Sequence, residues 1–152
     1  MSDGQDKKIL LAFDFGLARI GIATANLYTK TASPLTTLAN GQNLPWAELD
    51  RLIDQWTPGQ LVVGLPDPQR SSSFMSSARS FVESIQQRYQ LPVAVIDESL
   101  TSREASTELR EARRSGLLNR RVKKEQIDSL AACLIAQQWM RNQSDERQRV
   151  IP

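Results

Sequence analysis

The 152-residue sequence has no histidine and a single cysteine, Cys133. The absence of histidine excludes Ser–His–Asp triads, histidine general bases and histidine metal ligands. A lone cysteine excludes an internal disulfide, and its place in the apolar run 130–136 predicts a buried thiol rather than a nucleophile. Any metal site must therefore be built from carboxylates and other oxygen ligands, which favour Mg²⁺ or Mn²⁺.

Long apolar runs are also missing, and none approaches the roughly 18 residues of a membrane span. Residues 1–8 are polar and mixed in charge, without the apolar stretch of a signal peptide. We therefore expect a cytoplasmic protein. The length fits one domain, 1–152, and no linker or repeat divides it. We expect a core over about 8–140 and a polar, frayed tail over 141–152.

The net charge of +2 is unevenly distributed along the chain. Residues 103–124 carry three acids and eight basic side chains: Arg103, Arg110, Arg113, Arg114, Arg120, Arg121, Lys123 and Lys124. A basic stripe on a nearly neutral protein is typical of a surface that binds a polyanion. The alternative is a solvated helix face with charge pairs four residues apart.

Apolar runs bounded by turn residues predict five strands, over 8–13, 19–26, 34–38, 61–65 and 92–96. The first two should form a hairpin. Helical spacing of apolar residues predicts four helices: one capped at Asn43 with Pro45 in its first turn, one over 74–89, one from the capping box at Thr101 to about Ser115, and one over about 125–140. The element order predicts an α/β fold whose mixed sheet opens with an antiparallel meander and carries helices packed on it.

Three acids occupy positions that folding alone does not explain. Asp14 and Glu98 each end an apolar strand, and Asp128 lies in the first turns of a helix that is apolar nearly all round. A buried carboxylate is costly unless it is paired or binds a metal. Each has an ordinary alternative, such as a turn, a backbone cap or a favourable helix dipole. Acids at two strand ends and one helix start can nevertheless converge at one edge of a sheet, where a divalent cation would offset their repulsion.

Four segments resemble motifs of the YqgF (RuvX) family. Residues 14–23 (DFGLARIGIA) match D-x-G-x-x-R-I-G-[VI]-A, and residues 61–66 (LVVGLP) resemble V-V-G-L-P. Residues 97–102 (DESLTS) resemble D-E-R-L-T-T, and residues 124–132 (KEQIDSLAA) match K-x-x-[IV]-D-x-x-A-A. Two positions depart: Ser99 replaces an arginine beside Glu98, and the loop 67–73 lacks the usual glycine.

The resemblance implies an RNase H-like (RuvC-like) fold and nuclease action on the 5′ end of pre-16S ribosomal RNA, or resolution of Holliday junctions. It also implies that Asp14, Glu98 and Asp128 are the catalytic residues and the ligands of Mg²⁺ or Mn²⁺, which would activate water against a phosphodiester. Arg19 and the basic residues of 103–124 would contact nucleic-acid phosphates. The alternative role for Arg19 is to neutralise Asp14. The expected partner is nucleic acid, with no membrane, and the chain is expected to be a monomer or weak homodimer.

Two other functional classes fit parts of the pattern. ATPases of the actin–sugar kinase group also open with an Asp-x-Gly hairpin, but they enclose the nucleotide between two domains. A non-catalytic nucleic-acid or ribosome-binding module could keep the fold while lacking cleavage, and the two departures are compatible with it. Metal-dependent cleavage by pure protein separates this class from the nuclease.

Overall fold

The computed structural model describes residues 8–65, 72–97 and 122–150. Five strands are present in this part of the chain: β1 (Ile9–Phe15), β2 (Arg19–Asn26), β3 (Thr31–Ala39), β4 (Gln60–Leu65) and β5 (Val93–Asp97). They are accompanied by three helices: α1 (Trp46–Trp56), α2 (Ser72–Tyr89) and α3 (Val122–Val150). None of the helices in these ranges combines the length and the apolar character needed to cross a bilayer.

The strands form one sheet in the order β3-β2-β1-β4-β5. Strands β1, β2 and β3 are an antiparallel meander, whereas β4 and β5 run parallel to β1. This confirms the predicted mixed sheet and its opening hairpin. Because β1, β4 and β5 are parallel, their carboxyl ends lie at the same edge of the sheet.

Side chains of β1 alternate between the two faces of this sheet. Leu11, Phe13 and Phe15 pack on the face covered by α1 and α2, where Phe81 lies 5.7 Å from the Phe13 ring and 5.0 Å from the Phe15 ring, centroid to centroid. Leu10 and Ala12 pack on the opposite face, with α3. The central strand is thus buried on both sides, which explains its continuous apolar run.

The apolar helix faces lie where their spacing predicts. Leu49 of α1 is buried, with Trp46, Ile53 and Trp56 packed around the same core. Ala78, Phe81 and Ile85 of α2 are fully buried. The Cys133 thiol is buried in α3, as predicted.

Two helix boundaries differ in a way that changes an interpretation, while the starts of α2 and α3 differ from the prediction by only two and about three residues. Helix α1 begins at Trp46 with Pro45 as the N-cap residue and no side-chain cap bond, so the prediction of an Asn43 cap is wrong. Proline can occupy a helix start because its missing N–H is not needed there. The predicted end of the last helix near Met140 is also wrong, since α3 continues to Val150. Residues 141–150 contain no proline or glycine and several strong helix formers, so no local signal ends the helix there.

Candidate active site

Asp14 lies next to the carboxyl end of β1, one residue before the strand ends. Alternation along β1 puts it on the same face as Leu10 and Ala12, the face that α3 covers. Its side chain is half-buried, and it stands opposite Gly21 in β2. An acidic residue therefore ends an otherwise apolar row beneath α3.

Gly21 brings the start of α3 close to Asp14. A Cβ added at Gly21 would overlap the backbone carbonyl group of Asp128 and lie 2.9 Å from the Asp128 Cβ. Only a residue without a side chain allows helix and strand to approach so closely. Since Gly21 is also the antiparallel partner of Asp14, Asp14 and Asp128 flank the same glycine. The structure thus brings together two of the three predicted acids.

Arg19 forms an ion pair with Asp128. The Nε group donates to Oδ2 at 2.6 Å, and the side chains are 39% and 19% exposed respectively. Neutralisation of Asp14 was one expected role of Arg19, whereas the ion pair joins Arg19 to Asp128. Its partial exposure leaves the guanidinium accessible from solvent at the edge of the acidic site.

Glu98 lies outside the described residues, but the strand that precedes it is placed. β5 is separated from β1 only by β4, so the two strands are nearly adjacent. Asp14 pairs with Gly64, and Gly64 pairs with Ile96, so the three occupy one level of the sheet. Ile96 packs in the cluster under α3. β5 therefore ends at the edge of the sheet where Asp14 lies.

The turn between β1 and β2 is held by Asn40, which follows β3. The Asn40 side-chain amide donates to the Gly16 carbonyl at 2.8 Å, and its backbone N–H donates to the Ala18 carbonyl at 2.8 Å. These bonds fix the turn that connects Asp14 to Arg19. Sequence reasoning did not identify Asn40, because its two acceptors lie more than twenty residues away along the chain. For Gly21 a signal was available, because a glycine inside a strand indicates close backbone approach.

Most of the predicted phosphate-binding residues lie outside the described residues, namely Arg103, Arg110, Arg113, Arg114, Arg120 and Arg121. Ser99 and the loop 67–71 also lie outside them. Lys123 and Lys124 are in the first turn of α3, four to five residues before Asp128. Within the described ranges, no group of three or more acidic or cysteine side chains is arranged to hold a metal, and Glu98 is not among them.

Comparison with known proteins gives one consistent answer. Residues 8–142 match the sequence model of a family described as "RuvX: Holliday junction resolvase". A protein of Francisella tularensis subsp. tularensis, named "Putative pre-16S rRNA nuclease", is 40% identical over 134 residues, which are 86% of this chain and 95% of that protein. A protein of the same name from Francisella tularensis subsp. novicida shows the same identity and coverage.

Two solved structures share the fold. A Thermus thermophilus RuvC structure superposes with a TM-score of 0.57 at 15% identity, covering 90% of this chain and 96% of RuvC. RuvC of the same organism in complex with a Holliday junction substrate gives a TM-score of 0.53 at 14% identity, covering 84% and 90%. The α/β architecture is therefore RuvC-like, as the sequence motifs implied.

Proposed function

This chain belongs to the RuvX family, and we propose that it is a metal-dependent nuclease that processes the 5′ end of pre-16S ribosomal RNA. The relatives' name supports ribosomal precursor RNA as the substrate. The carrying observation is the contact at Gly21, which gathers Asp14 and Asp128 on one sheet face at the carboxyl ends of β1, β4 and β5. Carboxylates gathered at that edge are suited to hold a hard divalent cation.

The side chains present fit Mg²⁺ or Mn²⁺. Asp14 and Asp128 supply carboxylate oxygens from neighbouring elements, and we assign Glu98, which follows Asp97 in the sequence, as the third ligand. Nitrogen and sulfur ligands are absent from the proposed set, which disfavours zinc. When bound, the cation would lower the pKa of a water molecule and stabilise charge on the phosphate.

The basic side chains near the acidic site are proposed to bind the phosphates of the nucleic acid. Arg19 stands at the edge of the acidic site, where its exposed guanidinium can bind a phosphate oxygen. We assign the same role to the basic residues of 103–124, which begin five residues after Glu98 and end four residues before Asp128. Contacts of this kind position a nucleic acid and carry no sequence information.

Three further assignments belong to the proposal. The whole chain, 1–152, forms a single nuclease domain; it acts in the cytoplasm; and it is a monomer or weak homodimer. One sheet receives strands from residues 9 to 97, and α3 packs across it, which supports a single domain.

A parallel cleavage assay tests the function. Purified protein is offered pre-16S precursor RNA, an unrelated single-stranded RNA and a four-way DNA junction, each with Mg²⁺, with Mn²⁺ and with EDTA. We expect cleavage of the precursor RNA that requires a divalent cation. Preferred cleavage of the junction would instead assign the resolvase activity for which the family is described. Binding without cleavage of any substrate would assign a non-catalytic module.

A further inference from the structure

A cleft of about 450 Å³ opens on the other side of the β1–β2 turn from the acidic site. Phe15 and Leu17 of this turn region line one wall, and α2 closes the cleft with Ser76, Ser77 and Ser80. The segment after β3 lines another wall with Asn40, Gly41, Gln42 and Leu44. Its volume is in the range of small-molecule sites, roughly 300–1,000 Å³. Asp14 and Phe15 are consecutive residues on opposite faces of β1, so the cleft and the acidic site are separated only by the strand end and its turn.

The cleft is polar but uncharged in the described residues that line it. Asn40 and Gln42 contribute amides, and three serines of α2 contribute hydroxyls. Amides and hydroxyls both donate and accept hydrogen bonds, as the edge of a nucleobase requires. A phosphate would be expected to recruit lysine or arginine, which is absent from this described lining. The chemistry therefore matches a base or ribose better than a phosphate.

Leu17 adds an apolar surface at the mouth of this cleft. It is 54% exposed and lies in the turn between the cleft and the acidic site. The turn that carries it is held by both hydrogen bonds of Asn40. A rigid turn presents the leucine without an ordering cost at binding, and an apolar side chain there can pack against the face of a base.

We propose that this cleft is a nucleotide subsite that receives an unpaired base next to the phosphate held at the acidic site. The inference rests on the proposed nuclease function and narrows its substrate class. A base can enter a pocket only when it is unstacked from its neighbours, so the preferred substrate is single-stranded or locally unpaired RNA.

The test compares one single-stranded RNA with the same RNA made abasic at the central nucleotides. Binding is measured in an Asp14→Asn background, so that the RNA stays intact. We expect about tenfold tighter binding of the intact RNA, the gain of one base's hydrogen bonds and apolar contacts. Equal affinity for the two RNAs, or no binding of either, would overturn the subsite.

Two variants test whether the tighter binding of intact RNA comes from the cleft. Ser80→Trp fills the cleft from α2 and should reduce intact-RNA affinity to the abasic level. Gln87→Trp is the matched control, because it lies two helical turns further along the same helix face, is exposed and does not line the cleft. Leu17→Ala, a change at an exposed turn position, should halve or abolish the preference without affecting folding. A preference retained in both Ser80→Trp and Leu17→Ala would overturn the assignment.

Cleavage by the unmodified protein separates this inference from the nuclease proposal. Base-dependent binding without Mg²⁺- or Mn²⁺-dependent cleavage would leave the subsite in place and overturn the nuclease. Mg²⁺- or Mn²⁺-dependent cleavage together with equal affinity for intact and abasic RNA would overturn the subsite and leave the nuclease proposal in place.

Discussion

Two arginine–aspartate pairs lie on opposite faces of the sheet and differ in how fully the carboxylate is satisfied. Between α1 and α2, Arg88 binds Asp50 through Nε at 2.8 Å and Nη2 at 2.7 Å, and the Tyr89 hydroxyl donates to the same carboxylate at 2.7 Å. The guanidinium also stacks on Trp46, 4.6 Å from the ring centroid. Under α3, Asp128 accepts one hydrogen bond from Arg19, and no other described residue donates to it.

The difference separates a pair that joins two helices from one whose aspartate we propose as a metal ligand. Asp50 has both oxygens occupied by donors that join two helices, so it has little capacity for another ligand. Asp128 lies against Gly21, the strand partner of Asp14, and the side-chain hydrogen bond that it accepts from Arg19 uses only Oδ2. A carboxylate with spare acceptor capacity in a half-buried site is the kind that can bind a cation.

Loss of a proposed metal ligand should give the largest effect. Asp14→Asn should lower cleavage by more than about a hundredfold, since even residues that only orient metal ligands contribute about 10–100-fold. Asp50→Asn is the matched control, because it makes the same substitution in the Arg88–Asp50 pair. It should leave the cleavage rate unchanged. Rates are measured at saturating Mg²⁺ and RNA. Equal rates for Asp14→Asn and the parent would remove Asp14 from the mechanism.

Asp128→Asn should separate chemistry from stability. Cleavage should fall as for Asp14→Asn, whereas the free energy of unfolding should change by no more than about 1 kcal/mol, because the Arg19 pair is partly exposed and repulsion with Asp14 is relieved. Urea denaturation in EDTA measures the second quantity. A large loss of stability with cleavage intact would make Asp128 a structural residue.

Gly21→Ala tests the close approach of helix and strand. The added methyl group meets the backbone of Asp128, which cannot move without shifting α3, so we expect a loss of about 1–3 kcal/mol in unfolding free energy. Gly41→Ala is the control, because a Cβ at Gly41 has no atom within 4 Å. Equal stability of the two variants would show that α3 does not rest on Gly21.

Arg19→Gln should affect metal and RNA in opposite directions. Arg19 competes with a cation for the Asp128 carboxylate, so its removal should raise Mg²⁺ affinity by about tenfold, the value of one charge-assisted hydrogen bond. RNA affinity should fall, and the salt slope should decrease by about one unit, if Arg19 binds phosphate. Calorimetric Mg²⁺ titration and RNA titration at several salt concentrations measure both. Arg88→Gln removes a comparable pair and should change neither; weaker Mg²⁺ binding by Arg19→Gln would contradict the competition.

The smallest expected effect is the loss, at acid pH, of the stability that the Arg88–Asp50 pair contributes to the fold. Hydrogen bonds from Arg88 and Tyr89 lower the pKa of Asp50 from 3.8 to about 2. A lowered folded-state pKa stabilises the fold above the unfolded pKa, and this contribution is lost as pH falls from about 4 towards 2. Unfolding curves of the parent and Asp50→Asn should therefore converge over that interval. Curves that stay parallel from pH 5 to 2 would show that the pair contributes no pH-dependent stability.

Much of the fold was predictable because its signals are local. The strand over 19–26 was predicted with the boundaries that the structure shows, and the buried faces of α1 and α2 follow from helical spacing. The boundary errors arose where a local signal was ambiguous or absent, at Pro45 and beyond Met140. Asp14 and Asp128 were recognisable because an acid in an apolar strand or helix conflicts with its surroundings.

The amino-acid sequence by itself determined the α/β class and the family and predicted the acids of the proposed site, because periodicity and motifs depend on residues close together in the chain. Only the tertiary structure decided that Arg19 pairs with Asp128, that Gly21 accommodates α3, and that a neutral cleft adjoins the acidic site. These contacts join residues up to 109 positions apart. The strand register and the position of α3 on the sheet decide which residues meet, and no local sequence pattern encodes either of them.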